Sequence, residues 1–389
     1  MKRRIALVIL FLFFAAAALA QTPQWSPKAA TDWYNKQAWL VGANYIPAYA
    51  ANQLEMWQPE TFDIDRIDME LGWAESLGMN TMRVFLHNLL WKEDPGGLNS
   101  FHRRIDKFLA VCKRHKIRPI FVLLDSCWDP FPRTGRQLPP RPGIHNSRWL
   151  QSPGAAVLSD PAQEAHLLEY VEDIILAFNT DDRILAWDLW NEPDNANTGN
   201  SYAPTEPANK VAIVTALLPK IFQYARAGLP TQPLTSGVWR GDWSDPSKLT
   251  PIEKTQLELS DVISFHNYGP PADFEKRIAW LQQYHRPILC TEYMARPMGS
   301  TFQAILPLAK KYNVAAYNWG LVAGKTQTYL PWDSWQQPYI NRAPSQWFHD
   351  IFTTNGKPYS QDEVDFIRQI TARPPEKSRE KSKGKSKGR

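Results

Sequence analysis

Two glutamates stand at the ends of strongly apolar segments of the sequence. Glu192 follows the run ILAWDLWN, and Glu292 lies within PILCTEY. If both runs are strands of one parallel barrel, the two carboxyl groups lie at the same edge. Paired carboxyl groups suit cleavage of a glycosidic bond, because one protonates the leaving oxygen and the other attacks the anomeric carbon or activates water. A single glutamate here has a simpler interpretation, as a first-turn helix residue favoured by the helix dipole.

The other strand-like runs also end in polar or aromatic side chains. These are Asn44, Tyr45, Arg83, His87, Asp125, Asn191, Trp239, His266, Tyr268 and Trp319. Ordinary capping residues would be serine, aspartate or asparagine without a common theme. The set instead predicts a polar, aromatic and acid-rich cleft. Seventeen tryptophans in 389 residues agree with that prediction, because indole faces pack well against sugar rings.

Eight apolar runs are predicted as the strands that position these groups. They span residues 39–46, 80–86, 119–126, 184–190, 233–238, 262–268, 287–293 and 314–320. Most are continuously apolar rather than alternating, which is typical of parallel strands buried on both faces.

Amphipathic segments between these runs predict helices. Residues 64, 67, 71, 74 and 77 are apolar at helical spacing, and Gly78 stands where a helix would end. Further helical segments are predicted within 101–116, 162–178, 205–228, 251–260, 273–285, 301–312 and 361–371. Eight strands alternating with helices favour a single (β/α)₈ barrel with long βα loops over residues 21–372. An open doubly wound sheet is the competing fold, but it normally has fewer strands and a glycine-rich phosphate loop after the first.

The motifs WNEP, at residues 190–193, and TEY, at 291–293, resemble those of retaining β-glycoside hydrolases of clan A, and the cellulase-like family 5 in particular. The likeness extends over the predicted barrel and is most specific at the strand ends. It implies that Glu192 is the general acid/base and Glu292 the nucleophile. It also implies that Asn191 binds the sugar 2-hydroxyl and that Arg83 orients the nucleophile.

The same resemblance assigns roles to residues of the later strands. His266 and Tyr268 match a sixth-strand pair, with Tyr268 touching the nucleophile, and Trp319 matches a platform under the reacting sugar. Tryptophans of two loops either pack their loop or stack on a sugar: Trp239 and Trp243 in VWRGDWSDP, and Trp332 and Trp335 in GKTQTYLPWDSWQQP. The implied substrate is a β-linked polysaccharide or oligosaccharide, and no cofactor or metal is expected.

The third strand departs from the family pattern. Members of the family often carry a histidine here, in the order Asp-x-His, whereas this chain has Asp125, Ser126 and Cys127. His87, after the second strand, is therefore predicted to take the histidine's place at the substrate. Cys127 itself is either a small buried residue or a thiol that faces the cleft.

The two ends of the sequence differ from the body. Residues 1–20 combine a basic start, an apolar stretch and Ala18-Leu19-Ala20, a pattern that predicts a signal peptide cleaved near Gln21. An anchor is the alternative, although a membrane span needs about 20 apolar residues. Residues 373–389 are predicted to form a disordered basic tail. We therefore expect a secreted or periplasmic, monomeric protein without a stable membrane anchor.

Charge argues against nucleic acid as a partner. The whole chain carries +5, but residues 1–20 contribute +3 and residues 376–389 contribute +5, which leaves the body at −3. Three cysteines, Cys112, Cys127 and Cys290, allow at most one disulfide.

Two other functions remain open at this level. A metal-dependent barrel, such as a sugar isomerase or hydrolase, could use side chains of the types that bind divalent ions. Those are His87, Asp125, Glu192, His266 and Glu292. A barrel that binds glycans without cleaving them is the second alternative. The sequence contains no closely spaced ligand motif of the kind H-E-x-x-H.

Overall fold

The computed structural model describes residues 22–92, 94 and 97–372. The predicted signal peptide and basic tail lie outside the described residues. Eight parallel strands form, one in each predicted run: β1 (Val41–Asn44), β2 (Thr81–Phe85), β3 (Arg118–Asp125), β4 (Ala186–Asn191), β5 (Leu234–Thr235), β6 (Ile263–His266), β7 (Ile288–Tyr293) and β8 (Ala315–Trp319). The predicted (β/α)₈ fold is confirmed.

The strand order is β5-β4-β3-β2-β1-β8-β7-β6, with every pairing parallel. β5 is short, and the barrel closes through Val238 beyond its end. The Val238 N–H donates to the Ser264 carbonyl at 3.1 Å, and the Val238 carbonyl accepts from the His266 N–H at 3.0 Å. Because the sheet closes on itself, the carboxyl ends of all eight strands converge on one mouth.

Twelve α-helices occur among the described residues: α1 (Pro27–Tyr34), α2 (Gln53–Trp57), α3 (Ile64–Ser76), α4 (Leu89–Lys92), α5 (Leu98–Arg114), α6 (Ala155–Leu158), α7 (Glu164–Ala177), α8 (Lys210–Ala227), α9 (Pro251–Leu259), α10 (Pro271–Leu281), α11 (Phe302–Lys311) and α12 (Gln361–Thr371). Local capping explains several limits. Thr250 and Glu253 form a capping box at α9. Gly78, with φ of 73°, follows the C-cap of α3 in the left-handed conformation that the sequence predicts there.

Helix α1 covers the amino-terminal end of the barrel and was not anticipated by the sequence analysis. Its Ala30 and Tyr34 are buried in a cluster with Ile120, Leu185 and Tyr317 from the strands. A segment of eight residues carries too little periodic pattern to stand out, and its apolar face becomes useful only against the strand starts. The end opposite the mouth is therefore packed shut.

Two long segments follow strands at the mouth. Residues 126–154 lie between β3 and α6, and residues 320–360 lie between β8 and α12. Among the helices of the described residues, none combines the length and the apolar character that a membrane crossing requires. The long segments supply much of the side-chain chemistry described next.

Candidate active site

Arg83 is the central residue at the mouth of the barrel. It is fully buried on β2, and its guanidinium binds four groups from other strands. It donates to Asp188 Oδ2 at 2.9 Å, to Glu292 Oε1 at 2.9 Å, and to the side-chain oxygens of Asn44 and Asn191 at 2.9 and 2.8 Å. A planar guanidinium holds several acceptors in fixed directions. Arg83 therefore orients Glu292 and Asn191 relative to each other.

Glu292 is the second-last residue of β7 and is held at both oxygens. Arg83 binds Oε1, and the Tyr268 hydroxyl donates to Oε2 at 2.7 Å. The side chain borders the cavity at the barrel mouth although the residue is only 4% exposed. Two fixed donors leave the carboxylate in one orientation.

Glu192 directly follows β4, and its backbone adopts a left-handed conformation with φ of 41°. That conformation is unfavourable for a residue with a Cβ and is found chiefly where function requires it. Its Oε2 accepts from Asn195 Nδ2 at 2.6 Å and from the Cys127 thiol at 3.3 Å. The strand and the turn after it thus present Glu192 to the cavity opposite Glu292.

His266 joins the two glutamates. Its Nδ1 lies 2.9 Å from Glu192 Oε1 and 3.5 Å from Glu292 Oε2. One oxygen of Glu192, one of Glu292 and a ring nitrogen of His266 all lie within 4.8 Å of one another. His266 does not border the cavity itself, so it acts on the glutamates from beneath.

Burial sets the protonation of this group. It lowers the pKa of His266 to about 4, so the imidazole is neutral at pH 7 while its Nδ1 shares a hydrogen bond with Glu192 Oε1. Burial also raises the pKa of Glu192 and of Glu292, and the charge of Glu192 raises that of Glu292 further. Arg83 and Tyr268 oppose the rise at Glu292. Because two close carboxylates do not readily ionise together, we assign the shared proton to Glu192.

Asn191, Asp125 and Cys127 form the side of the site nearest β3. The amide nitrogen of Asn191 donates to Asp125 Oδ1 at 3.0 Å, while its oxygen accepts from Arg83. Cys127 stands at the place of the expected histidine, where its thiol borders the cavity and contacts Glu192. Burial raises the pKa of this thiol well above its ordinary value, so it remains protonated and donates. The sequence left two interpretations of Cys127 open, a small buried residue or a thiol that faces the cleft. The structure shows a thiol that faces the cleft.

The cavity above these groups has a volume of about 560 Å³. We call Arg83, Asn191, Glu192, His266, Tyr268 and Glu292 the floor, and Trp319 and Trp239 border the cavity beside it. Trp239 donates its indole N–H to Asp194 at 2.7 Å, and Arg240 covers one ring face at 4.8 Å. The volume lies within the range of about 300–1,000 Å³ usual for small-molecule sites.

The loops after β3 and β8 build a second surface of the cavity, which we call the wall. Its members are Trp128, His145, Asn146, Trp332, Trp335 and His349. Trp128 and Trp335 stack with ring centroids 5.1 Å apart and an interplanar angle of 5°. Tyr268 links wall to floor, because its ring packs edge-on against Trp332 at 5.1 Å. Two of the six wall residues, Trp332 and Trp335, are tryptophans that the sequence analysis considers for sugar stacking, and both border the cavity.

His87 is the one predicted substrate-binding residue that lies apart from this site. It is fully buried and does not border the cavity. Its Nδ1 accepts from the Leu89 backbone N–H at 3.2 Å, and burial lowers its pKa to about 3. The structure therefore does not place His87 where the missing histidine would stand, because the chain turns into α4 directly after it.

A divalent ion could take ligand atoms from Glu192, His266 and Glu292. These atoms already pair with one another and with Tyr268, and Arg83 places a positive charge on Glu292. A nearby guanidinium opposes a second cation at the same oxygen. The donor set therefore fits a shared proton better than a metal ion.

Asn195 is the functional residue that the sequence could have indicated. It lies three positions after Glu192, and its N–H closes a turn onto the Glu192 carbonyl at 2.9 Å. A turn at a strand end makes residues three apart neighbours, so WNEPDN contained the signal. No such signal marks the other wall residues, because Trp128, His145, Asn146 and His349 come from distant loops.

Comparisons with known proteins leave the family unassigned by sequence. No protein-family model matches the chain, and no curated protein matches it either. Solved structures do share the fold. The exo-β-1,4-mannosidase Op5Man5 from Opitutaceae bacterium strain TAV5 is 19% identical with a TM-score of 0.55, over 85% of this chain and 59% of its own. This chain therefore spans under two thirds of that protein's length.

Two further structures give similar values. GH5_18 from Streptomyces cattleya, solved in complex with GlcNAc, is 11% identical with a TM-score of 0.55, over 87% of this chain and 82% of its own. The endo-1,4-β-D-mannanase from Thermotoga petrophila RKU-1 is 14% identical with a TM-score of 0.53, over 86% and 99%. At these identities the likeness establishes the (β/α)₈ fold.

Proposed function

We propose that the protein is a retaining β-glycoside hydrolase. One observation carries this proposal: Glu292 is buried and bound by Arg83 and Tyr268, Glu192 is mostly buried and bound by neutral His266, and one oxygen of each carboxyl group lies within 4.8 Å of the other. The reaction needs one ionised and one protonated carboxyl group, and the surroundings of Glu292 and Glu192 favour these two states respectively. The mannosidases and mannanases among the structural neighbours support the same class.

In the first step, Glu292 attacks the anomeric carbon and a glycosyl–carboxylate bond forms. The bond to the leaving oxygen breaks, and Glu192 gives that oxygen its proton. In the second step, Glu192 takes a proton from water, and the water oxygen displaces Glu292 from the sugar. Arg83 and Tyr268 stabilise Glu292 as an anion before the attack and after release.

The short distance between the carboxyl groups supports retention of configuration. Retaining enzymes separate them by about 5–5.5 Å, whereas inverting enzymes leave about 6.5–9.5 Å for a water molecule. One oxygen of Glu192 and one of Glu292 lie within 4.8 Å of each other, which supports the closer, retaining arrangement. Proton NMR of the first product anomer measures this outcome, and an inverted product would contradict the mechanism.

β-Linked mannans and manno-oligosaccharides are the first substrates to test, followed by glucans, xylans and small β-glycosides. The mannosidase and mannanase structures named above are the reason for testing mannans first, while the cavity is compatible with β-linked substrates as a class. A panel of these substrates with wild-type protein establishes the preferred sugar by product analysis.

Glu292→Ala and Glu192→Ala test the two roles. We expect Glu292→Ala to lower kcat by about 10⁴-fold or more, the scale seen when a nucleophile is removed. Glu192→Ala should retain activity on aryl glycosides with good leaving groups, and azide should restore part of the rest. Full activity in Glu292→Ala, or unchanged cleavage of poor leaving groups by Glu192→Ala, would refute the assignment. Circular dichroism verifies that both variants fold.

A metal-dependent reaction is the second candidate, favoured only by the cluster of Glu192, His266 and Glu292. Loss of activity in a chelator, restored by a divalent ion, would support it. The glycan-binding alternative predicts saturable binding of oligosaccharides without turnover. Hydrolysis that survives chelation excludes both.

We also propose that the protein is exported, on the basis of the amino-terminal pattern in residues 1–20, and that it is a monomer. Amino-terminal sequencing of the protein from the medium or periplasm should begin near Gln21. Retention of Met1 in a membrane fraction would contradict export by cleavage. Light scattering measures the oligomeric state.

A further inference from the structure

The loops after β3 and β8 meet above strands that separate them. In the sheet β1 and β2 lie between β3 and β8. The Gly143 N–H donates to Gln327 Oε1 at 3.0 Å, and the His145 N–H donates to Ser334 Oγ at 3.0 Å. The Asn146 N–H donates to the Thr326 carbonyl at 2.7 Å. These bonds bridge the barrel mouth on the side of β1 and β2.

The segment after β1 fills the space beneath this bridge. The Lys325 N–H donates to the Ala48 carbonyl at 3.0 Å, and the Gln53 amide donates to the Leu150 carbonyl at 2.9 Å. Hydrogen bonds thus join the two loops to the segment after β1, and the bridge forms a partition on this side of the cavity.

The loop after β4 extends the partition. Gln336 donates to the Gly199 carbonyl at 2.7 Å, and Asn197 binds both the N–H and the carbonyl of Trp128, at 2.9 and 2.7 Å. Tyr202 packs edge-on against Trp335 at 5.7 Å. Three loops from β3, β4 and β8 thus interlock around the same cavity, which leaves the approach on the side of Trp239.

The wall carries polar groups that lack protein partners. Asn146 is fully buried and borders the cavity, and neither atom of its amide makes a hydrogen bond to any described residue. His349 is also fully buried there. Its Nδ1 donates to the Met294 carbonyl, and its Nε2 is without a partner in the described part of the chain. Unpaired buried polar groups destabilise a fold, so they call for an explanation.

We propose that the cavity is a blind pocket for the end of a β-linked glycan, and that Asn146 recognises adjacent hydroxyls of the terminal sugar. The inference rests on the proposed hydrolase function and specifies exo action for it. A chain that runs through a site needs two open sides, whereas the interlocked loops leave one. Cleavage in the middle of a long polymer is then sterically excluded.

The amide of Asn146 matches a pair of neighbouring hydroxyls. Its Nδ2–H₂ donates to one hydroxyl oxygen while its Oδ1 accepts from the next. The neutral His349 Nε2 offers a second acceptor for a hydroxyl proton, because burial holds the pKa of His349 well below its ordinary value. A site whose buried groups pair only with substrate discriminates strongly against analogues that lack those hydroxyls.

The first experiment uses β-linked hexasaccharides labelled at the reducing end, with products followed by mass spectrometry at early times. Exo action releases one product of constant size from one end, and a matching polysaccharide solution keeps its viscosity. A mixture of internal fragments with a rapid fall in viscosity overturns the inference while leaving the hydrolase function intact. Absence of cleavage of every β-glycoside is a different result, which refutes the proposed function and the inference with it.

The second experiment compares Asn146→Ala with Asn355→Ala, a matched change at an exposed asparagine in the loop after β8 that does not border the cavity. We expect kcat/KM of Asn146→Ala for the hexasaccharide to fall about 10- to 100-fold. Asn146 has φ of 50°, a conformation that alanine tolerates poorly, so the denaturation midpoint of Asn146→Ala should fall. Asn146→Gly removes the amide without that strain, and it should lose kcat/KM to the same extent with a midpoint close to that of wild type. Unchanged kinetics in Asn146→Gly would assign Asn146 a structural role only. Asn355→Ala should match wild type in both measurements.

Discussion

The floor and the wall of the cavity are built by different means. Floor residues stand on or next to barrel strands and bind one another, as Arg83 binds Asp188, Asn191 and Glu292. Wall residues stand on loops of 29 and 41 residues, 126–154 and 320–360. Three of them, Asn146, Trp335 and His349, have polar atoms without a partner in the described part of the chain. Strands fix side chains to the precision that bond making requires, whereas loops vary without disturbing the barrel. We therefore expect the floor to determine the reaction and the wall to determine the substrate.

Arg83→Lys should have the largest effect in this comparison. An ammonium group cannot reach the four acceptors that the guanidinium holds, so Glu292 loses its orientation. We expect kcat/KM to fall about 10²–10³-fold, the scale of losing one preorganised donor. Stability should fall as well, because Asp188 is buried with this partner.

The matched control is Arg226→Lys. Arg226 pairs with buried Asp261 at 3.0 Å near the starts of β5 and β6, at the barrel end opposite the cavity. Guanidinium unfolding should show a comparable loss of stability, with activity per folded molecule unchanged. Equal loss of activity in both variants would mean that Arg83 acts only through the fold.

Trp335→Ala tests the wall and should have an intermediate effect. The ring stacks on Trp128 and borders the cavity without touching the glutamates. We expect KM to rise about 3- to 10-fold, from loss of an aromatic surface worth about 0.5–1.5 kcal/mol, with kcat changed less than KM. Trp280→Ala, on the outer helix α10, is the control and should leave KM unchanged. A fall in kcat alone would place Trp335 with the floor.

Asn195→Ala should have the smallest effect on activity, because it removes one hydrogen bond, from Asn195 to Glu192, that joins the loop after β4 to the floor. Its amide stabilises the ionised form of Glu192, so its removal raises the pKa of that group further. Glu192 must be protonated to act as an acid, and activity is lost as pH rises through its pKa. The alkaline limb of kcat/KM should therefore move upward by roughly one pH unit.

Cys127→Ser is the control for that shift. The hydroxyl keeps a donor near Glu192 Oε2, so the alkaline limb should move less than in Asn195→Ala. A downward shift in Asn195→Ala would show that Glu192 is not the group whose protonation controls that limb.

The floor was largely predictable from the sequence. Each parallel strand is a continuous apolar run, and the residue at its end faces the mouth whatever the loops do. Glu192, Glu292, Arg83 and Tyr268 meet for that reason. His87 was misplaced at the substrate because strand-end position alone does not say whether the chain turns inward or into a helix, as it does at α4.

By itself, the sequence determined the eight strands, the fold that they close into and the pair of carboxyl groups at its mouth. Local periodicity and burial specify these features, and they need no knowledge of distant contacts. Tertiary structure alone decided that Cys127 faces Glu192, that α1 closes the far end, and that Asn146 meets Thr326 across about 180 residues of chain. Such contacts depend on loop paths, and no local pattern encodes where two loops will cross.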